Sequence, residues 1–286
     1  MRAMNYRHAF HAGNFADILK HLALLAALEA LTRKDSALFF LDTHAGRGRY
    51  DLRCREALKT GEAAAGIGRL VAAASLPPLA QRFLTLLRGF DPANADDIVT
   101  YPGSPLLAAA VMRPQDRAAL CELEREEAEA LRSELRGDRR FGVHCRDGYE
   151  ALGGLLPPRE KRGLVLVDPP YEEQEKELLK VADALVAAQQ LWPTGVFTAW
   201  YPIKLPGATR RFHERLRTAG ASKVLVAELC VHADDTRIGL NGSGMVFLNP
   251  PWQLDEVLAA TLPAVQRAMQ PSGEGRTRVD WLERKS

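Results

Sequence analysis

The sequence predicts a doubly wound α/β fold, and three observations carry the prediction. Short apolar runs of strand length alternate with longer stretches of helical period, the pattern of a mostly parallel sheet covered by helices on both faces. Four of these runs are closed by an acid, Asp42, Glu122, Asp147 or Asp168. One run, Gly163 to Val167, leads into Asp168-Pro169-Pro170-Tyr171, so a buried strand ends in a carboxylate, a rigid turn and an aromatic ring.

Taken in order, Asn14 followed by Asp17 and then Phe15, Ile18, Leu19, Leu22, Leu25 and Ala26 predicts a capped amphipathic helix reaching about Leu31. On a helical wheel His21 falls about 100° from the apolar stripe, at the edge of the buried face. Strands are expected at 38–41, 119–122, 141–145, 163–167, 195–200, 224–231 and 245–248. Helices are expected near 125–136, 174–190, 207–218 and 253–269, with a short one after Asp147. Seven strands result. The last two have no helix between them and are expected to pair antiparallel. A further short strand, 278–281, is possible in the tail.

One interval breaks the alternation. From Gly48 to Leu120 the chain runs 72 residues, whereas one crossover needs about 15 to 30. Two helical pieces, 61–74 and 78–89, fall inside it. At its end, Tyr101-Pro102-Gly103-Ser104-Pro105 has Ser104 as a candidate N-cap and Pro105 at the first helical position. The expected organisation is residues 1–49 as an N-terminal helix and first core strand, 50–100 as a small helical insertion, and 101–286 as the rest of the core.

Composition bounds the function. With 286 residues, 47% hydrophobic and 26% charged, the chain has the make-up of a soluble globular protein. No apolar run approaches the ~20 residues of a membrane span, and Met1 to Tyr6 lacks the apolar stretch of a signal peptide. A cytoplasmic monomer without a membrane partner is expected. Cys54, Cys121, Cys145 and Cys230 lie far apart with no C-x-x-C, which suggests neither a disulfide framework nor a structural zinc site. His8 and His11 have H-x-x-H spacing, but no carboxylate-rich motif accompanies them, so no metal is expected. The net charge is only +2, yet Lys204 to Lys223 holds six basic residues against Glu214, and residues 1–60 carry ten Lys or Arg against six acids. Such clusters can neutralise phosphates. Lys204, Arg210 and Arg211 are the candidates.

The acids point to the chemistry. Ligands of open α/β sheets lie outside the carboxyl ends of the strands, so four acids at four such ends face one crevice. Leu41-Asp42-Thr43-His44-Ala45-Gly46-Arg47-Gly48 fits the D/E-x-G-x-G-x-G pattern of class I methyltransferases at Asp42, Gly46 and Gly48, with His44 in the first glycine slot. A dinucleotide fold would need glycine at position 51, which is Asp. Glu122 suits the hydroxyls of a ribose, and Asp147 an adenine amine. Asp168 and the Pro169 carbonyl can both accept from an exocyclic amine, while Tyr171 offers a face for a planar base. A second tetrapeptide, Asn249-Pro250-Pro251-Trp252, follows the last core strand and is read as a structural turn.

With His-Ala-Gly-Asn-Phe-Ala-Asp-Ile-Leu-Lys-His, Leu-Asp-Thr-His-Ala-Gly, Tyr-Pro-Gly-Ser-Pro and Asp-Pro-Pro-Tyr in this order, the chain closely resembles the RlmJ family of 23S ribosomal RNA adenine-N6 methyltransferases. The resemblance covers nearly the whole length. It implies a Rossmann-like methyltransferase domain with an inserted helical subdomain, S-adenosylmethionine as donor and an adenine of 23S ribosomal RNA as target. It further implies Lys20, His21, His44, Ser104, Glu122, Asp147 and Gly148 around the cofactor, Asp168 as the catalytic acceptor, and Tyr6 on the substrate. Direct in-line transfer to a flipped adenine is the expected mechanism, the proton leaving to Asp168 or water. Rival readings are a DNA adenine or protein glutamine methyltransferase, a dinucleotide oxidoreductase, and a catalytically silent RNA-binding assembly factor.

Overall fold

A computed structural model describes residues 8–171, 173–204, 206–233, 236, 239–270 and 273–284. The chain enters through a 3-10 turn, His8–Phe10, and helix α1 (Phe15–Thr32). Asn14 caps α1 as expected, its Oδ1 accepting from the Ala16 and Asp17 amides at 2.9 Å. Strand β1 (Phe39–Asp42) follows, then β2 (Arg49–Asp51), α2 (Arg55–Thr60), a π turn at Ala64–Gly68 that runs into α3 (Arg69–Val71), α4 (Pro78–Phe90) and β3 (Thr100–Pro102). The rest alternates: α5 (Ser104–Val111), β4 (Arg117–Glu122), α6 (Arg125–Glu134), β5 (Phe141–Cys145), α7 (Gly148–Leu155), β6 (Gly163–Val167), α8 (Gln174–Leu191), β7 (Val196–Ile203) and α9 (Pro206–Thr218). It closes with β8 (Val224–Cys230), β9 (Gly242–Leu248), α10 (Leu254–Met269) and β10 (Arg276–Glu283).

One sheet has the order β5-β4-β1-β6-β7-β9-β8-β10. The first five strands in this order are parallel, and β9 runs antiparallel between β7 and β8. The sheet has eight strands where seven were expected. The tail residues form β10, which lies antiparallel along the outer edge of β8 and so covers an edge that would otherwise be open. β2 and β3 make a separate antiparallel ribbon where the stretch between β1 and β4 leaves and rejoins the core.

Alternating strand residues feed two cores. Phe40, Leu120, Leu164 and Leu166 point to the layer containing α1, α5, α6 and α10, whereas Leu41, Val165, Val167 and Phe197 point to the layer of α7, α8 and α9. Each fully buried side chain of this size contributes about 1.5 to 3 kcal/mol. Helix α1 departs from the amphipathic expectation: 14 of its 18 residues are buried, Lys20 and His21 included. The cause is that α5, α10, α4 and the π turn all pack against it in addition to the sheet, so it has no open solvent face. Ile67, Leu70, Leu79, Phe83 and Leu87 belong to the same apolar cluster as α1, so residues 64–90 are folded onto the main core.

Candidate functional site

The carboxyl ends of β1, β4, β5 and β6 meet around the turn Thr43 to Gly46. Asp42 ends β1 and is fully buried; its Oδ2 accepts from Ser104 Oγ at 2.6 Å and its Oδ1 from the His44 amide at 3.2 Å. Ser104 was expected to cap α5, but Gly103 is the N-cap and Ser104 the first helical residue. Lying inside the first turn rather than before it, its hydroxyl donates to Asp42 instead of capping the helix. Burial pushes the Asp42 carboxyl up to about 7, against the pull of these two hydrogen bonds.

Glu122, at the end of β4, spans two amides: Oε2 accepts from Gly46 and Oε1 from Glu124, both at 2.8 Å. Burial raises its pKa. Each oxygen keeps lone-pair capacity for a ligand hydroxyl. Gly46 sits at φ 62°, a backbone conformation that glycine adopts without strain. Asp147 caps α7 through Oδ1, which accepts from Tyr149 at 2.7 Å and Glu150 at 3.2 Å. A Cβ on Gly148 would stand 2.0 Å from the Thr43 carbonyl, so this glycine lets α7 close on the β1 turn.

His44 packs edge-on against Tyr149, with ring centroids 5.4 Å apart, and its Nδ1 lies 2.8 Å from Thr43 Oγ1. The same hydroxyl is 3.0 Å from the Leu166 carbonyl, which can only accept. The single hydroxyl hydrogen therefore goes to Leu166 and His44 Nδ1 carries the proton, leaving Nε2 an acceptor. Burial lowers the His44 pKa to about 4.

Asp168 follows β6, and its Oδ2 lies 2.7 Å from Lys20 Nζ. Lys20 also touches Asp17 at 2.9 Å, and the other oxygen of Asp17 meets His8 Nε2 at 2.9 Å. Burial opposes every charge in this chain of groups. The opposed charges outweigh it, holding Asp17 well below the usual carboxylate range and Lys20 well above the usual ammonium range. Sequence reasoning missed Asp17 as part of the site, because nothing local marks it as more than a first-turn acid. Lys20, assigned to the cofactor through the resemblance, is in direct contact with Asp168.

His21 is fully buried and stacked on Tyr101, with Nδ1 2.9 Å from the tyrosine hydroxyl. Burial drops its pKa to about 3, and Nε2 has no hydrogen-bond partner among the described residues. Pro169 is buried. Tyr171 corrects an expectation: its ring is only 4% exposed, lies edge-on to Trp200, and its hydroxyl donates to the Trp200 carbonyl at 2.5 Å. It pins the turn rather than presenting an open face. Tyr6 lies outside the described residues.

His8 and His11 pair with Asp17 and Glu62. Among the described residues no cluster of His, Cys, Asp and Glu suits a metal ion, and no helix is long and apolar enough to cross a membrane. Asn249 sits after antiparallel β9, hence on the rim opposite Asp168, with Nδ2 donating to the Pro193 and Gly195 carbonyls at 2.9 and 3.1 Å.

The strand order, the reversed β9 and the acids along one rim define a class I methyltransferase fold. The family model described as ribosomal RNA large subunit methyltransferase D, RlmJ, matches residues 35–283, and the chain belongs to this family. It is 40% identical to the ribosomal RNA large subunit methyltransferase J of Haemophilus influenzae and 38% identical to that of Escherichia coli, in each case over 98% of this chain and 99% of the relative. Among solved structures it is similar to protein LPL1258 from Legionella pneumophila, at 32% identity and a TM-score of 0.85, covering 95% of this chain and 98% of that one.

Proposed function

We propose that this protein methylates the exocyclic N6 amine of an adenine in 23S ribosomal RNA, with S-adenosylmethionine as donor. The observation that carries the reading is the placement of Asp168: a carboxylate fixed by a buried ammonium, at the strand end beside the crevice that Asp42, Glu122 and His44 also face. S-adenosylmethionine supplies, when bound, an electrophilic methyl group on a sulfonium. The residues suit such a donor. Glu122 keeps acceptor capacity for ribose hydroxyls, Gly148 brings a helix end close to the turn, and His21 Nε2 is a buried polar atom in need of a partner. Lys20, His21, His44, Ser104, Asp147 and Gly148 complete the proposed cofactor side.

On the substrate side, the free acceptor positions of Asp168 and the Pro169 carbonyl would take the two N6 hydrogens and favour a tetrahedral nitrogen. Lys20 keeps Asp168 oriented through that exchange. The base must leave its stack first, at a cost of a few kcal/mol in a duplex and less in a loop. Tyr6 remains a proposed substrate contact. We place the protein in the cytoplasm as a monomer, acting on free or partly assembled RNA, with residues 50–100 as an insertion in the core.

Asp168→Asn preserves shape and removes the charge. It should lower methyl transfer to 23S RNA by at least about a hundredfold while S-adenosylmethionine still binds by calorimetry; full activity would refute the assignment. Mass mapping of 23S RNA from cells lacking the protein should show one adenine without its methyl group. Labelled donor offered with DNA or protein instead of RNA tests the rival substrates.

A further inference from the structure

At the far end of the same sheet a cleft of ≈ 620 Å³ opens between α9, β7, β8 and β10. Arg210 and Arg217 enter it from α9, and Arg276 and Arg278 from β10. Its floor is Glu228, 1% exposed, whose Oε2 accepts from Arg276 at 2.8 Å and whose Oε1 accepts from the Tyr201 hydroxyl at 3.1 Å, with Arg278 at 3.8 Å. Arg276 therefore answers the buried carboxylate directly, while Arg278 stands farther off and donates to Asp280 at 2.9 Å. The other two are surplus to it. Arg217 pairs with Glu214 at 2.7 Å on the surface, and Arg210 has no hydrogen bond or ion pair among the described residues. His213 is kept neutral near pH 7, since burial lowers its pKa to about 4. The lining thus has four positive charges against two negative ones, Glu214 and Glu228. The hydroxyl of Thr209, 7% exposed, also lines the cleft and lacks a partner. Forked guanidinium donors on two walls, with an unpartnered hydroxyl on the α9 wall, suit the oxygens of a phosphate group.

The sheet register fixes where this cleft lies. Val167 pairs with Ala199, so Asp168 stands beside Trp200; the next row runs Tyr201, Gly244, Glu228, Arg278. Four strand spacings of ~4.8 Å put Arg278 roughly 19 Å from Asp168 along the carboxyl-end rim. That is about five or six stacked nucleotides at ~3.4 Å each. We propose that the cleft is a second nucleic-acid contact, in which Arg210, Arg217, Arg276, Arg278 and Thr209 hold a backbone phosphate of the RNA whose adenine lies at Asp168. This rests on the reaction proposed above. The segment's other arginines, Arg211 and Arg215, do not line the cleft; they pair with Glu175 and Asp183 on the surface.

Arg210→Gln and the double variant Arg210→Gln/Arg217→Gln leave the partners of Glu228 in place, so the sheet keeps its neutralised carboxylate. With a 23S RNA fragment, the double variant should raise both Kd and KM about tenfold and flatten the plot of log K against log salt by about 0.7 to 0.9 per lost phosphate contact. Affinity for S-adenosylmethionine and the melting midpoint report that the variants are folded. Unchanged Kd, KM and salt slope, in a wild type that methylates RNA and an Asp168→Asn variant that does not, would overturn the cleft alone. A wild type that neither binds nor methylates RNA would overturn both readings. Inorganic phosphate separates the sources: binding of phosphate that depends on Arg210, without any effect of these variants on RNA, overturns the backbone assignment.

Discussion

Asp42 holds its proton more tightly in the folded protein than in the unfolded chain, because burial lifts its pKa from the ordinary carboxylate range to about 7. Between about pH 4 and 7 the folded state binds the extra proton, so stability falls as pH rises through that window. Buried His21 and His44 act in the opposite sense: with pKa values lowered to about 3 and about 4, they add stability as pH rises toward 6.5. The two effects offset each other in the wild type. Asp42→Asn removes one of them, and its stability relative to wild type should rise by up to about 4 kcal/mol from pH 4 to 7, as read by urea denaturation across pH. A difference that is flat with pH would refute an Asp42 that titrates in this range. At this scale the strand-end acids were legible, since a carboxylate after an apolar run marks the ligand rim. The Lys20–Asp168 pair was not, because 148 residues separate its members and only the folded sheet joins them.

The segment between β1 and β4 acts as a cradle for the N-terminal turn. Thr60 Oγ1 donates to the Phe10 carbonyl at 2.7 Å, Glu62 accepts from Asn14 at 2.8 Å, and the Ile67 amide donates to the Gly13 carbonyl at 2.9 Å. These contacts position the start of α1, and through it Asp17 and Lys20. Gly66 is the close point, since a Cβ there would stand 2.3 Å from the Gly13 carbonyl oxygen and 2.8 Å from Asn14. Gly66→Ala should therefore cost about 1 to 3 kcal/mol by overpacking. Gly68→Ala, where a Cβ would meet only the Ala63 carbonyl at 3.6 Å, should be neutral or stabilising. Thermal melts of both variants check the contrast, and equal effects would refute it. The length of this segment showed in the sequence as an interval too long for one crossover. Its packing against α1 did not, because the apolar pattern of a helix reports burial and not the burying partner. Strand direction separates the two proline tetrapeptides: parallel β6 delivers Asp168 to the ligand rim, and antiparallel β9 delivers Asn249 to the other.

Across the whole molecule, β10 completes the sheet. Its Trp281 packs against the main core, and Nε1 donates to Asp255 of α10 at 2.8 Å. Its arginines neutralise Glu228 inside the adjacent strand. Trp281→Ala should cost about 2 kcal/mol, below the 3 to 5 of a fully buried tryptophan because the ring is only half-buried; a loss under ~0.5 kcal/mol in urea titrations would show that β10 is only loosely held. The alternation and the antiparallel ending were legible from element order. The full length of β10 was not, since Arg276-Thr277-Arg278 reads as polar tail until Glu228 supplies a reason for the charges.

The burial of α1 on every side also has a consequence in time. Its covering helix α10 begins at Leu254, more than two hundred residues after α1 ends. At about 5 to 20 residues per second, a ribosome needs roughly 10 to 40 s to cover that distance. During that interval a strongly apolar helix is present without its final neighbours. The π turn and α4 are made early, within sixty residues of α1, and pack against it. They are among the first parts of its cover to be synthesised, and contacts with them bury part of its apolar surface without needing α10.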